Sequence, residues 1–332
     1  MDILILGGTA WLGRELARTA LERGHRVSAL ARGESGESGE VAEGTVLLRA
    51  DRSLPGAYDT AAEHEWDAVI DVSWQPGFVR DAVAALGDRA RHWSYVSSGS
   101  VYADHESSGA DESAELLAPL DADVADGADY GEAKVACEAA TTAVRGSRAL
   151  IVRPGVIGGP GDASGRSGYY VARSERDPHA PMLVPDIAAS PTQVIDVRDL
   201  VAWHLDAIER GLEGVFNAFG PHVPFGEWIS ESRAVGEHRG CVERADSEWL
   251  LEQGVRPFMG DESLPLWLPD PAWSGFMSHS SAAAEAEGLV HRPRRELLEG
   301  VLAWERTAGL DRPRPAGLSR RREQALIAAL DV

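Results

Sequence analysis

The sequence predicts an α/β protein built on a doubly wound parallel sheet, with a smaller and irregular lobe towards the carboxyl end. Three observations carry this prediction. Short apolar runs alternate with amphipathic stretches over the first half of the chain, which is the pattern of βαβ units. A glycine-rich turn joins the first apolar run to the first amphipathic stretch. Beyond residue 221 the alternation gives way to a stretch rich in Pro, Trp and Phe.

The first half contains six predicted strands with helices between them. The strands are Asp2–Leu6, Arg26–Ala31, Thr45–Ala50, Asp67–Ser73, His92–Ser97 and Ala149–Arg153. The helices are a first one that ends at Gly24 and two over residues 78–90 and 130–145. Loops are predicted at 33–44 and 103–128, and a further strand and helix at 193–210. Parallel strands bring their carboxyl ends to one edge, where a ligand is expected.

Composition excludes several classes of protein. With 44% apolar residues in 332, the chain has enough material for a core despite a net charge of −21. That acidity weighs against binding to nucleic acid or to an anionic membrane. Cys137 and Cys241 stand far apart and the histidines form no HExxH motif, so neither a disulfide framework nor a metal site is expected. The chain lacks a basic leader and any apolar run near the ~20 residues of a membrane span, so a cytoplasmic location is expected.

The glycine-rich turn has the composition of a phosphate-binding turn. Its sequence is GGTAWLG at residues 7–13, between a strand and a helix. Gly7 suits the backbone angles of a tight turn, and Gly13 allows the helix to approach the sheet closely. Free N–H groups at the helix start would then face a pyrophosphate. A merely tight turn is the alternative. We predict a Rossmann-type dinucleotide site formed by Gly7, Thr9, Ala10, Trp11, Leu12 and Gly13.

The end of the second strand bears on which dinucleotide binds. NAD-binding folds usually place an Asp or Glu there, which holds the ribose 2′-hydroxyl. This chain instead has Ala31 and Arg32, with Ser35 nearby. An arginine attracts a 2′-phosphate, so NADP(H) is favoured over NAD(H), with a simple exposed Arg32 as the alternative. Asp51, next to Arg52 after the third strand, is expected to bind the adenine amine, and both are assigned to the cofactor site.

The chain divides into a nucleotide-binding part and a substrate-binding part. Residues 1–157 form the predicted dinucleotide-binding domain, to which 192–220 return; 158–191 and 221–315 form the predicted substrate-binding lobe, and 316–332 a C-terminal helix. Aromatic side chains are more often core than pocket, but several are candidates for an apolar substrate pocket. These are Trp74, Tyr169, Trp267, Trp273 and Phe276.

Tyr130 and Lys134 are the predicted acid–base pair. They stand four residues apart, and therefore on one face of the helix predicted at 130–145. An ordinary tyrosine, with a pKa of about 10, exchanges protons poorly near neutral pH, and an adjacent ammonium stabilises the phenolate. Lys134 is the only lysine in a chain with 31 arginines, so an ammonium stands where this chemistry needs one. An ordinary surface pair is the alternative.

A run of serines follows the fifth strand, at the edge where the ligand is expected. Ser98 is predicted to hydrogen-bond a substrate carbonyl and to stabilise the developing alkoxide. Its neighbours Ser97 and Ser100 are assigned to the cofactor and to the substrate, respectively. Serines at a strand end are otherwise ordinary turn residues, so this prediction depends on the nearby Tyr130–Lys134 pair.

Together these motifs resemble the extended short-chain dehydrogenases/reductases, the NAD-dependent epimerase/dehydratase family. The matching segments occur in the family's order and cover about two-thirds of the chain. They are LGGTAWLG (6–13), SSGSVY (97–102), YGEAK (130–134), RPGVIGGPGD (153–162), VIDVRDL (194–200) and GVFNAFG (214–220). The Ala31–Arg32 strand end looks more like the atypical branch of the family.

The resemblance implies a catalytic triad of Ser98, Tyr130 and Lys134. It also implies a homodimer through the helices at 78–90 and 130–145. It places five residues near the nicotinamide side of the cofactor: Val72, Ser73, Trp74, Pro154 and Val156.

Two departures from the family pattern bear on the reaction. Gly99 and Ser100 follow Ser98, where the family's dehydratases carry an Asp-Glu pair, and Val156 stands where nucleotide-sugar enzymes commonly have an asparagine. We therefore expect an NAD(P)-dependent oxidoreductase that transfers hydride between nicotinamide and a small secondary alcohol or ketone. A cofactor-retaining epimerase is the first alternative, and a non-catalytic nucleotide-binding regulator is the second.

Overall fold

The computed structural model describes residues 1–33 and 40–330, so Ser35 lies outside the described residues. The strands of the amino-terminal half are β1 (Asp2–Leu6), β2 (Arg26–Ala31), β3 (Val46–Arg49), β4 (Trp66–Asp71), β5 (Ala90–Val96) and β6 (Ala149–Pro154). Its helices are α1 (Trp11–Glu22), α2 (Asp59–Ala62), α3 (Pro76–Leu86) and α4 (Tyr130–Arg145).

The carboxyl-terminal half has shorter strands. They are β7 (Val156–Gly158), β8 (Met182–Pro185), β9 (Pro191–Asp196), β10 (Gly214–Ala218), β11 (His222–Pro224), β12 (Val242–Ala245), β13 (Arg256–Phe258), β14 (Gly260–Asp261), β15 (Ser263–Pro265) and β16 (Ala316–Gly317). Its helices are α5 (Tyr169–Arg176), α6 (Val197–Glu209), α7 (Phe225–Val235), α8 (Ser247–Glu252), α9 (Ala282–Ala286), α10 (Arg294–Ala308) and α11 (Arg320–Leu330).

A seven-stranded sheet in the order β10-β6-β5-β4-β1-β2-β3 forms the centre of the protein. All neighbouring strands in it are parallel. The chain winds from β1 outward to β3 and then returns to β4 on the other side of β1. The carboxyl ends of β1 and β4 therefore lie at the point where the winding reverses, which is the usual ligand site of such sheets. The predicted doubly wound parallel sheet is confirmed.

Some predicted boundaries shift because local side chains end or begin an element. The strand predicted at 67–73 ends at Asp71, since the Asp71 carboxylate accepts a hydrogen bond from the Ser73 N–H (2.9 Å) and turns the chain. Pro76 at the first helical position starts α3 earlier than predicted, and the helix ends at Leu86. The helix predicted at 130–145 is α4 in full.

The segment predicted as one strand and one helix at 193–210 divides between two layers. Helix α6 packs its buried face, including Leu200 and Val201, into the same core as Ile3 and Leu16. Strand β9 does not join the central sheet; it pairs with β7 and β11 in a separate three-stranded sheet. The next strand, β10, is the one that extends the central sheet, beside β6.

Two of the aromatic residues predicted to line a substrate pocket are core residues instead. Tyr169 is 3% exposed and Trp267 is fully buried, and both belong to the apolar core of the carboxyl-terminal lobe. The indole N–H of Trp267 donates to Ser247 Oγ at 3.1 Å. Neighbours distant in sequence cover both rings, which residue type alone does not reveal.

A buried ion pair fixes the carboxyl-terminal helix to this lobe. Glu323 on α11 accepts from Arg173 on α5 at 2.5 Å and from the N–H of Leu183 on β8 at 3.1 Å. Among the described residues, no helix combines the length and the apolar character needed to cross a bilayer.

A buried histidine should make the stability of the central core depend on pH. His204 on α6 lies 2.5 Å from the Ser94 hydroxyl, and burial lowers its pKa to about 3. The unfolded chain binds a proton on this side chain near pH 6.5, whereas the folded protein does not. The stability of the wild type should therefore fall by about 2 kcal/mol more than that of His204→Gln between about pH 7.5 and about pH 5.

Urea unfolding at the two pH values measures this difference. His64→Gln, at an exposed histidine, is the matched control and should behave like the wild type. Equal pH dependence in His204→Gln and the wild type would contradict the prediction.

Candidate active site

The turn between β1 and α1 leaves no room for side chains at its glycine positions. Gly7 has a φ of +96°, and a Cβ added there would lie 2.7 Å from Val72 Cγ2. A Cβ on Gly13 would lie 2.4 Å from the Gly7 carbonyl oxygen. Helix α1 follows directly and has no side-chain cap, so the N–H groups of its first turn are free to bind an anion. This cradle fits the pyrophosphate of a dinucleotide.

Trp11, the first residue of α1, connects this turn to the loop after β7. Its indole N–H donates to the Pro160 carbonyl at 3.0 Å, and a Cβ on Gly161 would lie 2.7 Å from the indole nitrogen. The Trp11 side chain is therefore used within the protein. Its backbone, with those of Leu12 and Gly13, remains available at the helix start, as predicted for the phosphate site.

The end of β2 presents basic side chains. Arg32 is exposed, and its guanidinium makes no hydrogen bond to another described residue. Hydrogen bonds from Ser53 lower the pKa of the Asp51 carboxyl, and the nearby Arg32 contributes. Arg49, which the sequence analysis missed, donates to the Arg32 carbonyl at 3.4 Å. The two arginines lie together at the place expected for the adenosine ribose.

Arg52 has a structural role that its place beside Asp51 did not reveal. Its guanidinium makes a two-pronged pair with Asp71 (3.0 and 2.6 Å) and also donates to the Tyr58 hydroxyl and the Phe78 carbonyl. The pair is almost fully buried. The Arg52 side chain is therefore unavailable to a cofactor, and it instead fixes the end of β4.

Lys134 is buried beneath the start of α4. Its Nζ donates to the carbonyls of Val96 (2.6 Å) and Ser73 (3.0 Å), which lie at or just beyond the ends of the neighbouring strands β5 and β4. The ammonium lies 4.9 Å from the centre of the Tyr95 ring and 6.0 Å from that of Tyr130. An ammonium has three donors, so one remains for a ligand.

Ser98 and Tyr130 meet at the same edge of the sheet. The Ser98 hydroxyl accepts from the Ser100 N–H at 3.1 Å and caps a short 3-10 helix. Gly131 packs against that turn so closely that a Cβ would lie 2.5 Å from the Ser100 carbonyl oxygen. The Trp74 ring lies 5.6 Å from that of Tyr130. The structure thus brings together Ser98, Ser100, Tyr130, Lys134 and Trp74.

Ser97, predicted as a cofactor residue, has its hydroxyl in a buried network. It donates to the Glu138 carboxylate, which also binds Arg153 at 2.9 and 2.7 Å. Arg153 donates in turn to the Tyr102 hydroxyl, and Tyr102 donates to Asn217. Although burial opposes it, Glu138 holds the pKa of Arg153 above its usual value. The Ser97 side chain therefore connects α4 to β5 rather than facing a ligand.

The other residues predicted near nicotinamide lie at the carboxyl edge of the sheet, and each has its own neighbours. Val72 contacts Gly7, and the Ser73 carbonyl receives Lys134. Pro154 ends β6 and is buried. Val156 is 5% exposed and packs into the lobe core, so its side chain is turned towards that lobe.

Phe219 also lies at the carboxyl edge of the sheet, and the sequence analysis did not single it out. Its ring fills the space over Gly99 and Gly155, where added Cβ atoms would lie 2.4 and 2.3 Å from it. His279 stacks on Phe219 at 4.5 Å, and burial lowers the pKa of His279 to about 4. The only available signal for Phe219 was its place in the GVFNAFG motif at 214–220.

Strand order, the uncapped glycine turn and the cluster at the strand ends define a protein of the Rossmann type, with the fold of extended short-chain dehydrogenases/reductases. Solved structures with this fold include a candidate epimerase from Burkholderia cenocepacia J2315, with 21% identity, a TM-score of 0.70 and coverage of 92% of this chain and 98% of the other. The resemblance seen in the motifs is confirmed at the level of the fold.

Two further similar structures were solved with NAD. UDP-glucuronic acid 4-epimerase from Bacillus cereus has 15% identity, a TM-score of 0.65 and coverage of 92% and 99%. UDP-glucose 4-epimerase from Thermus thermophilus has 16% identity, a TM-score of 0.63 and coverage of 93% and 100%. No protein-family model and no curated protein matches the chain. At these identities the likeness establishes the fold.

The buried position of Lys134 predicts that arginine cannot replace it. Lys134 is 3% exposed, and a planar guanidinium is too wide for a space shaped around two carbonyl acceptors. We expect Lys134→Arg to lower the melting temperature and to weaken NAD(P)⁺ binding about tenfold, the loss expected for a charged hydrogen-bond donor.

Thermal melting, and calorimetric titration of protein freed of bound cofactor with NAD⁺ and NADP⁺, measure the two effects. Arg148→Lys, the reverse exchange at an exposed position just before β6, is the control and should change neither. Wild-type melting and wild-type affinity in Lys134→Arg would show that the ammonium has no special place in the site.

Proposed function

We propose that this chain is a nicotinamide-dependent enzyme that epimerises a hydroxyl-bearing carbon and retains its cofactor. The observation that carries the proposal is the buried ammonium of Lys134 beneath Tyr130, at the strand edge next to the glycine turn. The fold is shared with structures described as UDP-glucose and UDP-glucuronic acid 4-epimerases, which favours epimerisation over a net redox reaction.

The residues present suit a dinucleotide. The first turn of α1 would hold the pyrophosphate, Arg32 and Asp51 the adenosine half, and Lys134 a ribose hydroxyl. A bound nicotinamide would supply reversible hydride transfer at the substrate carbon, and return of the hydride to the opposite face of the ketone gives the epimer.

The chain's own residues would handle the proton and the oxygen of the substrate. Tyr130 would take the hydroxyl proton as the carbon is oxidised and return it on reduction, with the positive charge of Lys134 beneath its ring. Ser98, half-buried beside it, would donate a hydrogen bond to the substrate oxygen in the ketone state. Trp74 would cover the Tyr130 ring from the side.

A net NAD(P)-dependent oxidation or reduction of a secondary alcohol or ketone is the second candidate. It is favoured by Val156, which is buried in the lobe core and offers no amide at the position where nucleotide-sugar enzymes commonly carry asparagine. The two candidates share the same acid–base residues and differ in whether the cofactor leaves.

The fate of the cofactor separates these two reactions. An epimerase should purify with bound NAD(P)⁺, release it on denaturation, and convert substrate without a net change in nicotinamide absorbance. We expect this result with UDP-glucose or with one of a panel of hydroxyl compounds. If the reacting carbon of the substrate carries deuterium, the deuterium should remain on that carbon in the product. Absorbance that changes in proportion to product would favour the net redox enzyme.

Tyr130→Phe is the matched variant for this experiment. It should keep the bound cofactor and lose turnover by roughly a hundredfold to ten-thousandfold, the range of general acid–base catalysis. Turnover close to wild type would exclude Tyr130 as the acid–base residue. A protein that binds no dinucleotide at all would overturn the proposed function.

We also propose that the cofactor is NADP(H) rather than NAD(H), because Arg32 and Arg49 offer positive charge at the end of β2.

Arg32→Ala should weaken NADPH binding about tenfold, the loss expected for a charged hydrogen bond, while NADH binding changes little. Calorimetric titration of cofactor-free protein with NADPH and with NADH measures this, with Arg148→Ala as the control for lost charge. Equal losses for both cofactors, or a wild type that prefers NADH, would contradict the proposal.

A further inference from the structure

The loop between β7 and α5 is built as a rigid support. Asp162 is 3% exposed and its carboxylate accepts from the Ser164 N–H at 3.0 Å and from the Ser167 hydroxyl at 2.8 Å. The indole of Trp11 holds the same loop from the side of the phosphate turn. A loop fixed at both ends holds the side chain it carries, Arg166, in one place.

Arg166 carries a positive charge that the described part of the chain leaves without a counter-ion. It is half-buried, and its Nε donates to the Ser164 hydroxyl at 3.2 Å. No carboxylate of the described residues lies within ion-pair distance of it, and its two terminal nitrogens donate to none of these residues, yet remain accessible. Partly buried charges usually have a partner, because desolvation is costly.

The ring of Phe258 supports the face of this guanidinium. The guanidinium carbon lies 5.1 Å from the centre of the ring. Phe258 has a φ of +64°, a left-handed backbone conformation that is strained in a non-glycine residue and that occurs most often at functional sites. The Phe258 ring covers one face of the guanidinium. The N–H groups at the edge of the guanidinium remain free to bind a ligand that lies in the guanidinium plane.

The loop that carries Arg166 lies at the same edge of the sheet as Tyr130, because Trp11 in the first turn of α1 donates to its Pro160 carbonyl at 3.0 Å. Burial lowers the pKa of Arg166, and the nearby Asp162 carboxyl and Tyr130 phenol partly oppose this. Both oxygens of Asp162 already accept hydrogen bonds from its own loop. Asp162 therefore forms no ion pair with Arg166, and the guanidinium is left for a ligand bound at this edge of the sheet.

We infer that Arg166 binds an oxyanion of the substrate, a carboxylate or a phosphate, and that the enzyme acts on anionic hydroxy compounds. This inference rests on the proposed function, since it concerns the substrate of the same site. The planar guanidinium pairs with two oxygens of a carboxylate or phosphate at once, which fixes orientation as well as affinity. A neutral compound would leave the half-buried charge unpaired and would bind more weakly.

Three sugars that differ at one substituent test the inference. D-Glucose, D-glucuronate and D-glucose 6-phosphate carry a hydroxymethyl, a carboxylate and a phosphate group, respectively. Binding is measured by ligand-observed NMR on protein saturated with NADP⁺, so that the phosphate turn is occupied. We expect one or both anions to bind the wild type more tightly than glucose, and Arg166→Gln to weaken that anion about tenfold or more, as for loss of a charged hydrogen bond. The preferred anion distinguishes carboxylate from phosphate.

Arg148→Gln is the matched control, since it removes the same charge at an exposed position before β6 and should leave binding unchanged. Arg166→Lys should retain part of the anion affinity, which a purely structural role would not predict. Anions that bind no better than glucose, or that bind Arg166→Gln as well as wild type, would overturn the inference. NADP⁺ titration of each variant is a separate readout: failure of dinucleotide binding in the wild type would instead refute the proposed function.

Discussion

The ammonium of Lys134 must find its hydrogen-bond acceptors inside the protein, because the side chain is 3% exposed. It finds them at the Val96 and Ser73 carbonyls, at or just beyond the ends of two neighbouring strands. A buried unpaired ammonium is costly, so these bonds fix both the rotation and the height of α4 relative to the sheet. Tyr130, one helical turn earlier, then lies over the edge that carries Ser98. These two hydrogen bonds therefore help to set the position of Tyr130 relative to Ser98.

Two other buried ion pairs hold the backbone to which Lys134 binds. Arg52 and Asp71 fix the turn that presents the Ser73 carbonyl, while Arg153 and Glu138 hold α4 against β5 and β6. Breaking such a pair by removing one partner typically costs about 3–5 kcal/mol, because a buried charge remains. Some polar residues next to a site face the ligand, and others hold the ligand-facing residues in position. Both kinds stand beside each other in the sequence, so sequence position alone does not distinguish them.

The sequence predicts the periodic and local features well. The strands β1 and β2, helix α4 and the glycine turn follow from hydrophobic period, glycine geometry and spacing, and the structure has them at the predicted residues. The partners of Arg52 and Trp267, which are Asp71 and Ser247, could not be predicted because they are set by packing between distant segments. Phe219 and Arg166 stand in loops, where no period indicates which way a side chain faces.

The chain as a whole carries a net charge of −21, which repels anionic ligands. Binding of an anion therefore depends on local positive charge that the protein has not already neutralised. Many of its arginines are paired with carboxylates, for example Arg173 with Glu323. Arg32 and Arg166 have no such partner among the described residues; the first follows β2, where the adenosine half is expected, and the second lies near Tyr130. An acidic surface with cations kept free at the binding site would direct anions to that site and away from the rest of the molecule.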